Sequence, residues 1–378
     1  MILLHTSDWH FGMPVGNSNY REDQLFFTDE LIRVIREEHV GAVLLAGDVY
    51  DSGRVSGEAI ELWNRAATRV CLECGIPMIV IAGNHDGADR LAACSELLKQ
   101  SGLYIFGRLT NPVTPVVLEE GRTAIWPLPF FQTDAVCARW PEHREEIRNQ
   151  TQAMKQVLDS IREHTAEYPV NIVVSHAMVI DAELSESDRS ARIGGASAVP
   201  VSLFDGFDYA ALGHIHKPQR MNDRVRYSGS PMTYSFGAEE KQEKGFVLFD
   251  TSDGSQRFVP IRQLHPHRSV TGTYVEIRDM QQELEKCWLN LSVTDRPAGP
   301  ELYSEMNERF PYLAFLRGRV TATGEMTRAV TGEELMKMSD TEIVKQFFIE
   351  NNPLITPTEE QLAWFEKAMQ ATEEEALQ

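Results

Sequence analysis

The sequence predicts an α/β chain, α+β mixed in its later part. A two-layer β-sheet core flanked by helices should be followed by a small α/β capping domain and a C-terminal helical tail. Two observations carry this. First, "ILLHTSD", "AVLLAGDVYD" and "PMIVIAGNHD" are short continuous apolar runs that each end in polar residues. Between them, Arg21 to Glu38 and Val55 to Cys74 carry apolar residues at helical spacing. Strands that are apolar throughout and alternate with helices are parallel strands buried on both faces. Second, beyond residue 100 the candidates "RTAIWPLPF", "VNIVVSHAMV", "YAALGHIH" and "GFVLFDT" come with more hairpin-like segments, so the sheet becomes mixed.

Taken in order, the first domain runs over 1–270 and closes after "VPIRQLHPHRS", with a charged helical stretch near residues 141–165. Residues 271–325 form the capping domain: a strand "TYVEIRD", an alternating strand "CWLNLSVTD", a helix "GPELYSEMNERF" and a strand "LAFLRGRV". So short a unit holds little core of its own and should pack on the first domain. Residues 326–378 are the tail, two helices divided by "NNPLITP". The second opens with Thr358 and Gln361 in capping-box spacing and lines Leu362, Phe365 and Met369 along one face. From Thr331 onward there are eleven acidic and three basic residues, and Phe347, Phe348, Trp364 and Phe365 either fold back on the body or serve another protein.

Composition sets bounds. With 42% hydrophobic and 24% charged residues among 378, the chain reads as globular. It has neither an apolar run long enough to span a membrane nor a signal-peptide pattern, so no membrane role and a cytoplasmic location are expected. Five scattered cysteines argue against a disulfide framework; Cys71 and Cys74 have no second pair and read as helical residues. A net charge of −20 argues against a protein that coats nucleic acid unaided. Any nucleic-acid function would need metals, a local basic patch or a partner.

Polar clusters sit where the strands end: Asp8-Trp9-His10, Gly47-Asp48-Val49-Tyr50-Asp51, Gly83-Asn84-His85-Asp86, Ser175-His176 and Gly213-His214-Ile215-His216. In parallel sheets that is the ligand-binding edge. A lone histidine such as His176 would by itself read as a core residue, but the set does not. In D-x-H and H-x-H, residues i and i+2 point to one side of an extended chain and can reach one ion. Glycine before Asp48, Asn84 and His214 permits tight turns and removes a side chain that would crowd the site. Asp8, His10, Asp48, Asn84, His176, His214 and His216 are too many ligands for one tetrahedral zinc, and they include no thiolate. Carboxylate, amide and imidazole together suit two divalent metal ions, Mn2+ first and Mg2+ or Fe as options, bridged by one carboxylate. His85 lies beside a ligand without needing to bind metal, which suits a catalytic acid, and Asp51 would orient its ring. Trp9, pointing the other way, reads as a packing residue.

The order D-x-H, G-D-x-x-D, G-N-H-D, lone His and G-H-x-H resembles the calcineurin-like metallophosphoesterase superfamily over residues 8–216. Ser52 and Asp86 stand where its phosphoprotein phosphatases place arginine and glutamate, which points away from that branch. The fuller strings "LHTSDWHFG", "LAGDVYDSG", "IAGNHD", "ALGHIHKPQ" and "RYSGSPM" are similar to the SbcD family of bacterial nuclease subunits. Asp51 replaces the histidine of archaeal and eukaryotic relatives, and Gly87 replaces a frequent serine. The resemblance implies that Asp8, His10, Asp48 and His216 hold one metal, and Asp48, Asn84, His176 and His214 the other. It further implies a manganese-dependent nuclease in DNA repair and recombination, an exonuclease on double-stranded DNA ends and an endonuclease on single-stranded or hairpin DNA. The partner would be an SbcC-like coiled-coil ATPase contacted by the tail, with a homodimer of this chain inside a heterotetramer. A small-molecule phosphodiesterase or nucleotidase is the alternative. A non-enzymatic end-binding subunit is disfavoured, because no ligand position has been lost.

Overall fold

The computed structural model describes residues 1–16, 18–185, 187–188 and 198–319, together with residues 342, 358, 361–362 and 364–365. The N-terminal part alternates β1 (Ile2–Thr6), α1 (Arg21–Glu37), β2 (Val40–Ala46), α2 (Gly57–Thr68), β3 (Met78–Ile81), the single turns α3 (Ala88–Leu91) and α4 (Ser95–Leu98), and β4 (Leu103–Phe106). Strands β1 to β4 pair in parallel as the sequence alternation requires. The second sheet takes β5 (Val116–Leu118), β6 (Thr123–Leu128), β7 (Val170–His176), β8 (Tyr209–Gly213), β9 (Gln219–Arg220) and β10 (Val225–Tyr227), in the order β5-β6-β7-β8-β10-β9. Helices α5 (Thr133–Arg139) and α6 (Gln150–Arg162) lie between β6 and β7. The chain then returns to the first sheet, where β11 (Gly245–Asp250) pairs antiparallel with β1 and β12 (Gln256–Pro260) forms the edge.

The strands are apolar throughout because both of their faces are covered. Leu3, Leu44, Ile79, Ile125, Ile172, Tyr209 and Phe249 fill the layer between the two sheets. Their neighbours Leu4, Val43, Leu45 and Val80 join a core with Phe27, Leu31 and Leu62 of α1 and α2. On the far side Trp126, Val173 and Ala210 pack with Met154, Val157 and Ile161 of α6. This is the expected two-layer sheet core flanked by helices. Helix α2 begins where Ser56 accepts the amide of Ala59 at 3.2 Å and runs on as a π turn at Arg69–Glu73. Cys71 and Cys74 sit buried and half-buried there, and all five cysteines are free. The charged stretch becomes α6, preceded by a 3-10 turn at Pro141–His143.

The capping unit contains β13 (His267–Gly272), α7 (Tyr274–Asp279), α8 (Gln281–Leu284), β14 (Trp288–Val293), α9 (Pro300–Arg309) and β15 (Leu313–Arg317). Its three strands are parallel, and its sheet begins at His267. One expectation is overturned: "TYVEIRD" is a helix, not a strand. Thr273 Oγ1 accepts the Glu276 amide at 3.3 Å while Glu276 Oε2 accepts the Thr273 amide at 2.7 Å. That reciprocal cap outweighs the β-branched composition. The unit has a small core around Leu289, Leu291, Met306 and Phe310. It also leans on the main body, where Trp288 Nε1 donates to Asp23 Oδ2 at 3.2 Å and Tyr312 stacks on His265 at 3.8 Å.

In the tail, Thr358 and Gln361 form the expected capping box, with amide-to-side-chain bonds of 3.0 and 3.3 Å. Phe347, Phe348, Met369 and most of 326–378 lie outside the described residues. No described helix is long and apolar enough to cross a membrane.

Candidate metal centre

The candidate ligands converge because the parallel strands end together. Asp8 and His10 follow β1, Asp48 follows β2, Asn84 follows β3, His176 closes β7, and His214 and His216 follow β8. Tight turns there carry backbone strain: Asp8, His10, Asp48 and His214 adopt φ of 55°, 43°, 51° and 100°. Non-glycine residues held at such angles cost about 1–3 kcal/mol each and cluster at functional sites. The three glycines act by closeness. A Cβ on Gly47 would lie 2.4 Å from His176 Nδ1, on Gly83 2.1 Å from Asp48 Oδ1, and on Gly213 1.9 Å from the Ala46 carbonyl.

Three groups of donors result. Asp8, His10 and His216 can offer one atom each within 4.8 Å of one another, and so can Asp8, Asp48 and His176, and His10, Asp51 and His85. Asn84 Oδ1 lies 2.8 Å from His176 Nε2 and 2.9 Å from His214 Nδ1. Asp48 Oδ2 lies 3.3 Å from His176 Nε2 and 3.8 Å from His10 Nε2, while Asp8 is the carboxylate shared by the first two groups. All seven expected ligands therefore meet.

Their polarity fits cations. His176 Nδ1 donates to the Ala46 carbonyl at 2.8 Å. Burial lowers the pKa of this ring, but Asp48 beside it outweighs burial and raises it to about 9. In the metal-free chain Nε2 therefore points a proton at the Asn84 and Asp48 oxygens, the place a cation would take. His10 and His216 bring their Nε2 atoms within 3.1 Å of each other, and buried His10 Nδ1 makes no hydrogen bond. Burial pushes the His10 imidazole down to about 4, the His214 imidazole to about 3 and that of His216 well below its ordinary value, so these rings remain neutral ligands. Burial, with Asp48 close by, raises the Asp8 carboxyl. Lone pairs so concentrated require positive charge among them.

Five of the seven, His10, Asp48, Asn84, His214 and His216, line a cavity of about 170 Å³, with His85, Asp51 and Met13 at its border. His85 Nδ1 pairs with Asp51 as expected, but with the carbonyl oxygen at 2.7 Å; the Asp51 carboxylate instead stands 3.7 Å from His10 Nδ1. Trp9 is fully buried against Phe11, Phe27 and Trp63, with Nε1 donating to Thr6 Oγ1 at 2.9 Å, so it is the packing residue that was expected.

Sequence reasoning missed several supports. Asp86 accepts from the amides of Gly83 at 2.9 Å, Tyr50 at 2.9 Å and Val49 at 3.2 Å, tying the G-N-H-D turn to the G-D-x-x-D turn. The D of G-N-H-D was visible, but two of its three amide partners, Val49 and Tyr50, belong to another strand end. Asp188 accepts the His216 amide at 3.0 Å, and Tyr234 donates to the Trp9 carbonyl at 2.5 Å and packs against His10 and His216. No motif flagged either residue.

Parallel strands that deliver carboxylate, amide and imidazole donors to one small cavity define a metal-dependent hydrolase of phosphate esters. The profile of the calcineurin-like phosphoesterase family matches residues 1–218, and the chain belongs to that family of metal-dependent phosphoesterases. Similar solved structures include TT1561 of Thermus thermophilus, at 12% identity over 69% of this chain and 99% of that one, TM-score 0.39. GAP50, the anchor in the inner membrane complex of Plasmodium, shares 15% identity over 70% and 89%, TM-score 0.41. The calcineurin-like phosphoesterase YfkN from Bacillus subtilis shares 14% over 69% and 88%, TM-score 0.37. At such scores the likeness says nothing of function.

Proposed function

We propose that the chain is a DNA nuclease subunit of the SbcD type. It hydrolyses phosphodiester bonds with two divalent ions, Mn2+ first among them. Asp8, His10, Asp48 and His216 would hold one ion and Asp48, Asn84, His176 and His214 the other. The observation that carries the polymer reading is the cavity's size. About 170 Å³ falls short of the ~300–1,000 Å³ of sites that enclose small ligands. It admits one phosphate and its ions, while a nucleoside stays outside. A substrate whose bulk remains outside is better matched by a strand of DNA than by a free nucleotide.

Bound divalent ions supply neutralisation of the phosphate's charge and a water acidic enough to attack at neutral pH. The protein's own groups do the rest. His85 donates from Nδ1 to the Asp51 carbonyl, so when the ring holds a second proton it sits on Nε2, and that proton is the one passed to the leaving oxygen. Asp8 is held by the His214 amide at 3.1 Å, and Asp48 Oδ1 by the His85 amide at 2.8 Å, so the carboxylates are fixed before substrate arrives.

A net charge of −20 gives weak attraction for DNA. That supports a cytoplasmic assembly in which a dimer of this chain borrows DNA-binding surface and ATP-driven gating from an SbcC-like coiled-coil ATPase. Exonuclease action on double-stranded ends and endonuclease action on hairpins and single strands belong to this reading. The test is a parallel assay on linear duplex DNA and on a cyclic nucleotide in Mn2+, with and without the ATPase and ATP. Duplex degradation stimulated by the partner is expected. Rapid cleavage of the cyclic nucleotide with DNA left intact would replace the proposal with a small-molecule phosphodiesterase.

A further inference from the structure

Glu239 and Lys244 form a fully enclosed ion pair at 2.7 Å, in a stretch that carries no metal-binding motif. Such a pair is seldom a net stabiliser, because desolvation offsets the attraction. What it holds is therefore informative. Lys244 Nζ donates to the carbonyl of His216 at 3.0 Å and to Ser230 Oγ at 3.0 Å. Glu239 Oε2 accepts from Ser187 Oγ at 2.8 Å, and the same Oγ lies 2.8 Å from His216 Nδ1.

With the Ser187 hydroxyl donating to Glu239, the protons along this chain follow. A hydroxyl that gives its single hydrogen to a carboxylate has only lone pairs to offer the ring. His216 Nδ1 must then carry the hydrogen and donate it to Ser187, and Nε2 keeps its lone pair. That Nε2 is the atom 3.1 Å from His10 Nε2, on the side of the candidate centre. Asp188 acts in the same sense, with Oδ1 3.7 Å from His216 Nδ1 while it accepts the His216 amide. Ring, amide and carbonyl of this one histidine are each held by a different group, half-buried Ser187, buried Asp188 and buried Lys244.

We infer that Glu239, acting through Ser187, is a positioning residue that fixes the tautomer and orientation of His216, so that Nε2 faces a divalent ion. This rests on reading the cluster as a metal centre and not on the identity of the substrate. Partners that orient a metal-binding histidine typically contribute about 10–100-fold to metal affinity.

The test uses the full chain and the variants Ser187→Ala, Ser187→Thr and Glu239→Gln. Long-range 15N–1H spectra of the metal-free protein, with the His216 signals assigned by their loss in His216→Asn, should show hydrogen on Nδ1. Ser187→Ala should move part of it to Nε2. Calorimetric titration with Mn2+ should show two ions in the wild type and about 10–100-fold weaker binding of one in Ser187→Ala, with Ser187→Thr restoring most of it. Glu239→Gln should give the same loss, and if it does not fold, the Ser187 pair decides alone. Unchanged tautomer and unchanged affinity in Ser187→Ala would overturn the inference. Hydrogen on Nε2 in the wild type would do the same. A wild type that binds two Mn2+ and cleaves no phosphodiester would sink the nuclease reading only, because tautomer and affinity still decide the role of Glu239.

Discussion

His85 borders the cavity and forms a close donor group with His10 and Asp51, apart from the two groups that contain Asp8. Its place is set by two bonds, the amide to Asp48 and Nδ1 to the Asp51 carbonyl. His85→Gln should therefore leave Mn2+ binding intact while turnover of a chromogenic phosphodiester falls about 10²–10⁴-fold, the usual contribution of a positioned proton donor. Calorimetry and initial rates on one preparation check this, and near-wild-type turnover would remove His85 from the reaction. At this scale the candidate ligands were legible because local grammar marks them: D-x-H and H-x-H set two donors two residues apart, and glycine stands before Asp48, Asn84 and His214. The chain at Asp8, His10 and His214 nonetheless turns through positive φ instead of running extended. Contacts that depend on how a turn is folded were not. Asp51 three residues after Asp48 suggests a carboxylate reaching His85, yet the turn presents its carbonyl. Ser187 and Glu239 meet His216 only through tertiary packing, and no spacing rule connects them.

At the scale of elements, the close approach of β8 to β2 is what brings His214 to Asp8. Gly213 lies at that approach, where an added Cβ would fall 1.9 Å from the Ala46 carbonyl and 2.9 Å from Ser7 Cβ. Backbone cannot yield as a flexible side chain does, so Gly213→Ala should cost at least about 1–3 kcal/mol of stability and loosen Mn2+ binding by separating the strand ends. Gly57→Ala, at the start of α2 with no atom within 4 Å of the new carbon, is the neutral control. Urea unfolding followed by circular dichroism distinguishes them, and equal midpoints would refute the packing argument. The parallel strands were readable because apolar runs without alternation imply two covered faces. The return of β11 to pair antiparallel with β1 was not, since nothing local in "GFVLFDT" says which strand it joins. "TYVEIRD" was misread for a different reason. Its aromatic and β-branched residues favour a strand, but Thr273 and Glu276 carried the helix signal in plain view.

Across the whole molecule, the two sheets are joined at buried His5, whose Nδ1 lies 2.8 Å from the Tyr209 hydroxyl and whose Nε2 lies 3.1 Å from the Leu212 carbonyl. Both bonds suit the neutral ring, and burial pushes its pKa down to about 3. The unfolded chain takes up this proton below about pH 6.5. Between there and about 3 the unfolded state holds more protons, so stability falls as pH falls, by up to about 1.4 kcal/mol per pH unit from this group. Metal-free protein should lose stability between pH 7 and pH 4.5, and His5→Gln should lose less; equal losses would show that His5 is not the cause. The acidic tail makes a different statement about the molecule. Every candidate metal ligand and catalytic residue lies between positions 8 and 216, whereas the eleven acidic residues from Thr331 onward and the Trp364 side chain, 77% exposed, sit far along the chain. A stretch of acidic sequence whose described residues form a capping box and expose a large aromatic would suit a basic, apolar groove on a partner. Deleting residues 331–378 should abolish co-purification with the coiled-coil ATPase and leave Mn2+-dependent hydrolysis of a small phosphodiester unchanged. Moderate salt should weaken the full-length complex, because the attraction is partly electrostatic. If the truncated chain still co-purifies, docking belongs to the capping unit or the phosphoesterase core, and the tail loses the role proposed for it.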